Sequence, residues 1–559
     1  MKKLVLSASV AFLATASAMA QSNVDNSTQS GINQIGTTTQ TGSGNDNTLM
    51  QSGNSNESTV MQIGVENTAS TTQTNNSSDS FIDQTGDRNT GTVSQSGGFF
   101  TGNQFSDLDQ VGDDNSATIT QGGNLHDSWV SQDGDLNVAT VDQTGSESGS
   151  TIDQTGNENI ATVTQSGSEQ NSLVDQIGDG NDAIVDQSGS DNLSDVMSLG
   201  DGNLASISQD GAGNTSDVDQ TGNDNTSSVT QEGDGNASMI AQLQDENDAL
   251  VIQDNGDDNE SFITQNGMRN EAQVRQLNGD DNLSTNSQTG DDNWISVRQV
   301  GAGSHVASAS QLGDDNDILI RQNGSGNSSN VSQIGDGNDA NTYQLGSSNQ
   351  TIVAQIGDNN QALESTVGQD NETYIDQDGD ANFASVTRGI VGTPGANGDR
   401  NLADITQDGD DNSAIVTQHG DDNIATISQT FDNNEAIVWQ EGNLNTADVE
   451  QVGWSNLSNI SQVGDSNNAT TTQAAWLGAI GNEITITQTG NGNTATSAQN
   501  GLIAWDNAIS VTQNGDLNTA MNTQTGYDHT ATIMQTGESH MHTGMQSGTG
   551  NTLTVTQSN

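Results

Sequence analysis

Acidic side chains are the first candidates for chemistry. Gly-Asp-Asp-Asn occurs seven times, at 112–115, 256–259, 279–282, 290–293, 313–316, 409–412 and 420–423. Carboxylate oxygens are hard ligands, so rows of them stacked along one edge would coordinate calcium. The competing expectation is a solvated, mutually repulsive surface that delays aggregation. His529, His540 and His542 would begin a transition-metal site, but the pattern dictates no carboxylate or fourth ligand. The first two occupy a place where Asn otherwise recurs, which reads as ladder substitution. The carboxylates appear in every turn alike, so no unit stands out as an acid–base pair or a nucleophile–base set. The expectation is a protein with no catalytic residues and no cofactor, with calcium at the acidic turns as the one candidate ligand.

The elements that position these turns follow from an eleven-residue repeat. From Gln110 to Gln253 the chain holds thirteen units without interruption. Counting each unit from its Gln, position 9 is Ile or Val and position 7 is Ala or Ser in all thirteen. Position 5 is Asn in ten, and positions 0 and 2 are Gln and Gly in twelve. Residues two apart share one face of a strand. Each unit therefore reads as a strand followed by a turn, with Gly supplying the turn's backbone freedom.

Ala117, Ser128, Ala139, Ser150, Ala161 and Ser172 alternate, so the true period is 22. The prediction is an all-β fold, a two-sheet parallel β-solenoid with two strand-turn units per coil and cross-β stacking. Ala is expected in one sheet and Ser in the other. The representative ladder is Gln132, Gly134, Asn137, Ala139, Val141, Gln143, Ser150, Ile152, Gln154, Gly156, Asn159, Ala161, Val163 and Gln165. Asn and Gln columns are expected to hydrogen-bond to their own copies at the borders of a dry seam. One buried Val per unit contributes about 1.5–3 kcal/mol, against roughly 1–2 kcal/mol of backbone entropy per ordered residue. A lone coil cannot fold, so stability must come from stacking.

Composition sets the limits. The 559 residues carry a net charge of −65, 29% hydrophobic residues, one Pro and no Cys. A globular core is not expected, but the many Val, Ile and Thr argue for strands over disorder. Residues 1–20 read as a secretory signal peptide, 21–28 as a short leader and 29–559 as the solenoid. Insertions fall near 96–105, 389–400, 474–483 and 501–507, where turns belong, and are expected to bulge from an edge. The register runs to 552–559 without a polar cap, so both ends are expected to offer strand edges. Nucleic acid is excluded as a partner by seven Arg among 74 carboxylates. No stretch of the mature chain would span a membrane. Thr118 with Thr120 and Thr162 with Thr164 suggest an ice-matching face, but Asp142, Asp153 and Met197 interrupt such columns. Trp129, Trp294, Trp439, Trp454, Trp476 and Trp505 read as scattered surface aromatics, with sugar or fibre contact as the functional alternative.

The motif Q-x-G-x-x-N-x-A-x-x-x-Q is similar to the curlin repeat of curli, the amyloid fibres of bacterial surfaces. Residues 141–165 resemble the minor, nucleating curlin more than the major subunit. The resemblance implies secretion through an outer-membrane pore and self-assembly with curlin-type subunits into extracellular cross-β fibres. It further implies roles in cell adhesion and biofilm. The runner-up expectation is a non-polymerising, calcium-stiffened adhesin rod.

Overall fold

The computed structural model of the chain describes residues 22–97, 103–389 and 398–559, with the side chains at 476 and 477 outside that description. The expected signal segment 1–20 and the middles of the 96–105 and 389–400 insertions lie outside the described residues. The described residues are all-β, with 47 strands and no helix. No helix among them is long and apolar enough to cross a membrane.

Two compact units divide between Asn159 and Ile160. Twelve strands, Val24–Ile32 to Gly149–Thr155, build the first; the other 35, Ile160–Ser168 to Thr552–Ser558, build the second. Within each unit successive strands alternate between two parallel sheets. In the first, Ser116–Asn124 pairs with Val138–Ser146, and Asp127–Asp133 with Gly149–Thr155. In the second, Ile160–Ser168 pairs with Asp182–Ser190, and Asn171–Ile177 with Leu193–Leu199. The offset is 22 residues in each case, so the fold is a two-sheet parallel β-solenoid of 22-residue coils.

The period-2 pattern explains the faces. In Ser116–Asn124 the side chains of Ala117, Ile119 and Gln121 are buried, while Thr118 and Thr120 point outward. The seam is built from facing positions 7 and 9 of opposite sheets. Ser329 Oγ lies 3.0 Å from Thr342 Oγ1, and Ser458 Oγ 2.7 Å from Thr471 Oγ1.

That facing corrects one expectation. The division of Ala and Ser between sheets holds from Ala117 and Ser128 to Ala205 and Ser216. It fails at Ser227 and Ala307, and Ala403 and Ala414 then put Ala in both sheets. What the seam fixes is the summed volume of facing residues. Ile295 and Ile318 take position 7 of one sheet where Ala309 takes position 9 of the other, and all three are buried.

The first strand, Val24–Ile32, begins before the expected start at Gln29. Counting units from Gln cuts this strand in two. Asn23 Oδ1 already accepts the Asn45 N–H at 3.1 Å, and Asp25 accepts Asn47 Nδ2 at 2.9 Å. The insertions at 474–483 and 501–507 extend strands rather than interrupt them. Asn468–Ile480 pairs with Thr494–Trp505 up to Ala475↔Gly501 and resumes at Ala479↔Ala504, so consecutive coils bulge together.

Candidate functional site

Gln is the most demanding residue of the repeat, because each side chain carries two donors and an acceptor into a buried column. Gln132 and Gln154 are at most 1% exposed, and Gln132 Nε2 donates to Gln154 Oε1 at 2.8 Å. Its second proton reaches the Ser116 carbonyl of the opposite sheet at 3.3 Å. Gln165 Nε2 donates to Gln187 Oε1 at 2.9 Å, and Gln143 Nε2 to the carbonyls of Asp127 and Ser148. Each Gln thus ties its coil both to the next coil and across the seam.

Asn opens each strand and Gln closes it, so each border of the seam holds Gln of one sheet beside Asn of the other, as where Gln220 Nε2 donates to the Asn225 carbonyl at 3.2 Å. Asn115 Oδ1 accepts the Asn137 N–H at 2.9 Å, Asn137 Oδ1 accepts the Asn159 N–H at 3.0 Å, and Asn137 Nδ2 donates to the Gly156 carbonyl at 2.8 Å. Ala139, Val141, Ser150, Ile152, Ala161 and Val163 fill the seam between the borders, none more than 1% exposed.

Spacing does not hold this register; the side-chain columns do. Gln377 still donates to Gln407 Oε1 at 2.8 Å although 30 residues separate them.

At the turn, Gly134 and Gly156 have φ of 132° and 123°. A Cβ on Gly134 would also collide with the Gly156 carbonyl of the next coil, so stacking as well as φ demands Gly. The sequence reading missed a second left-handed position two residues later, held by Asp114, Leu136 and Glu158 at φ near 60°. Its signal was the excess of Asp, Asn and Gly there, residues that tolerate this region. The preceding Asp holds the backbone of the coil beneath. Asp113 Oδ1 accepts the Asp87 N–H, and Asp135 Oδ1 the Asp113 N–H, both at 2.8 Å. The acidic turn is therefore a carboxylate-to-backbone ladder. Among the described residues no group of three or more His, Cys, Asp or Glu is arranged to hold a metal ion.

Eight stretches of this ladder, 129–156, 156–189, 200–233, 222–254, 313–341, 398–430, 420–453 and 506–537, match the Curlin associated repeat. The chain is a curlin-repeat protein. No curated protein matches it. The curlin columns absorb several substitutions chemically. His126, His305 and His529 stand in the Asn column, and each Nδ1 accepts the backbone N–H of the next coil, at 3.3, 3.2 and 3.2 Å, as an Asn oxygen would. Burial lowers the pKa of His126 and His305, which favours that neutral acceptor form. His540 places its backbone N–H on Asn518 Oδ1 at 3.0 Å, and His542 Nε2 lies 3.1 Å from Asn522 Oδ1.

Counting in elevens also marks two curlin-column departures that the sequence reading missed. Glu364 occupies an Ile/Val position and Arg388 a Gln position; both are buried. Arg388 donates to Gln418 Oε1, Thr366 Oγ1, Thr373 Oγ1 and the Glu372 carbonyl. Glu364 Oε2 accepts the Tyr343 N–H at 3.1 Å while Oε1 has no partner. Burial pushes the Glu364 carboxyl up to about 7, against the pull of Thr366, Arg388 and Tyr343.

Register also brings aromatics together that looked scattered. Phe105 lies 5.8 Å from Phe81 and 5.5 Å from Trp129, His419 stands edge-on to Trp439, Phe431 stacks on Trp454 at 4.9 Å, and Trp505 meets Tyr527. Trp294 is outward and half-buried. The side chain of Trp476 is outside the described residues.

Proposed function

We propose that this curlin-repeat protein is a secreted curli-type fibre subunit or nucleator, exported through an outer-membrane pore and assembled outside the cell for adhesion and biofilm. The observation that supports this reading is the self-complementarity of one coil. One edge offers Gln Nε2 donors and Asn Oδ1 acceptors, and the opposite edge of any other coil offers, in the same register, the Gln Oε1 acceptors and backbone N–H groups that receive them. A coil edge left open is therefore a template for curlin-type chains, itself included. The columns enforce register, because a one-residue slip would turn every Gln and Val to solvent.

Electron microscopy and fibre diffraction of the purified chain lacking residues 1–20, with and without calcium, test the reading. The expected result is unbranched fibres that bind Congo red and diffract near 4.8 Å, the strand spacing, in both conditions. A monodisperse particle that folds only with calcium would replace it with the calcium-stiffened adhesin.

A further inference from the structure

The seven arginines divide by what they touch. Arg88, Arg269 and Arg400 each grip one carboxylate of the next coil, Asp114, Asp292 and Asp422, through two N–H···O bonds. Arg388 is buried and spends its donors inside the seam. Arg275, Arg298 and Arg321 are exposed and form no ion pair among the described residues.

These three are also stacked. Arg275 pairs with Arg298 and Arg298 with Arg321 in consecutive parallel strands, between Ile252 on one side and Tyr343 on the other. The neighbouring outward column holds Gln273, Ser296 and Leu319, so no carboxylate lies beside them in it. Like charges at the strand spacing of about 4.8 Å repel one another. The fold of one chain gains nothing from such a stripe.

The outer face of the other sheet, in the same unit, carries its counterpart. Asp195 and Asp217 are register partners, and Asp219 lies two residues beyond Asp217, on the same face. Burial, then Asp217, Asp175 and Asp219, raises the pKa of Asp195. Asp219 Oδ1 is screened from solvent without a hydrogen-bond partner. No arginine among the described residues forms an ion pair with these three carboxylates.

We propose that the Arg275–Arg298–Arg321 stripe docks on the Asp195–Asp217–Asp219 ladder of a second copy of this chain, joining solenoids side by side. Both lie on the outer face of a parallel sheet; Asp195 and Asp217 repeat at the strand spacing of successive arginines, Asp219 lies beside Asp217 in the same strand, and guanidinium forks suit carboxylates. Stripe and ladder sit on opposite sheets, so the contact is head-to-tail and does not close; each copy keeps one free stripe or ladder. The two are about four coils apart along the axis, which staggers neighbours by roughly 19 Å at the strand spacing. Exposed ion pairs are individually weak. The contact is therefore salt-sensitive and gains strength by repetition along a fibre. It is separate from end-to-end addition and holds whether or not that occurs.

The test compares side-by-side association of the purified chain at about 0.02 M and about 0.5 M salt, by sedimentation and electron microscopy. Arg275→Gln/Arg298→Gln/Arg321→Gln should lower lateral association at low salt by about tenfold, with an unchanged far-ultraviolet circular dichroism spectrum. Asp195→Asn/Asp217→Asn/Asp219→Asn should do the same from the other side. The Arg→Glu triple and the Asp→Lys triple should each fail alone and associate when mixed. Association that neither neutral triple weakens, or that is equal at both salts, overturns the proposal. So does a stripe that binds anionic phospholipid vesicles or a uronic-acid polysaccharide while the Asp→Asn triple still associates like the parent chain.

Discussion

Gln187 shows what one ladder residue does. It accepts from Gln165 and donates to Gln209 at 2.8 Å and to the Asn171 carbonyl at 3.1 Å. Gln187→Leu would strand the Gln165 donor and the Gln209 acceptor in a buried column, at a cost of about 1–3 kcal/mol. Faster amide hydrogen exchange confined to the coils carrying residues 165, 187 and 209 is the expected readout. Ser194 gives the opposite case. Its buried hydroxyl has no partner, so the position selects for size, and Ser194→Ala should hold or raise protection in the same measurement. The Gln and Asn roles were legible from their spacing. The empty Ser hydroxyl was not, because a sequence does not show which acceptors come within reach.

Among the elements, the strands Gln361–Gln369 and Phe383–Arg388 depart most from the repeat. They bring Glu364 and Arg388 into the seam within one pair of neighbouring strands. The sign of the pH effect follows from Glu364. In the unfolded chain its carboxyl ionises near 4.5, and in the fold near about 7. Below 4.5 it is neutral in both states and the fold bears no penalty. As pH rises through the window to about 7, the fold must hold a proton that the unfolded chain releases, and local stability falls. Protection against hydrogen exchange over residues 342–388, taken relative to the intrinsic exchange rate at each pH, should therefore fall from pH 4.5 to 7, and Glu364→Gln should flatten that slope. A slope that survives Glu364→Gln would assign it to another group.

For the whole molecule the dominant quantity is the net charge of −65. Outward carboxylates such as Asp107, Asp195, Asp217, Asp404 and Asp448 are raised above 3.8, first by burial. Their charged forms weigh on the fold at neutral pH, and that burden is relieved as pH falls toward 3.8. His126 and His305 act against this. Their pKa values lie below 6.5, so stability is lost as pH falls from 6.5 through the lowered values and they charge. Two histidines stand against many aspartates, each repelling its stacked neighbour by about 1 kcal/mol in water. Fibre growth followed by thioflavin fluorescence should thus be faster at pH 4 than at pH 8, and added salt or calcium should speed it at pH 8. Equal rates under all four conditions would remove charge from the control of assembly.

The sequence by itself determined the coil: its length, its two sheets, and the inward Gln, Asn, Ala/Ser and Ile/Val columns. A period-2 face and a 22-residue repeat leave a chain this poor in apolar residues no other way to pair its buried amides. Tertiary structure decided what depends on which residues become neighbours across coils. Residues 22 to 30 positions apart meet only once the register is set. That step placed Ile295 and Ile318 where Ala309 leaves room, put Glu364 near Arg388, and lined up Arg275, Arg298 and Arg321 with no acid beside them in their column.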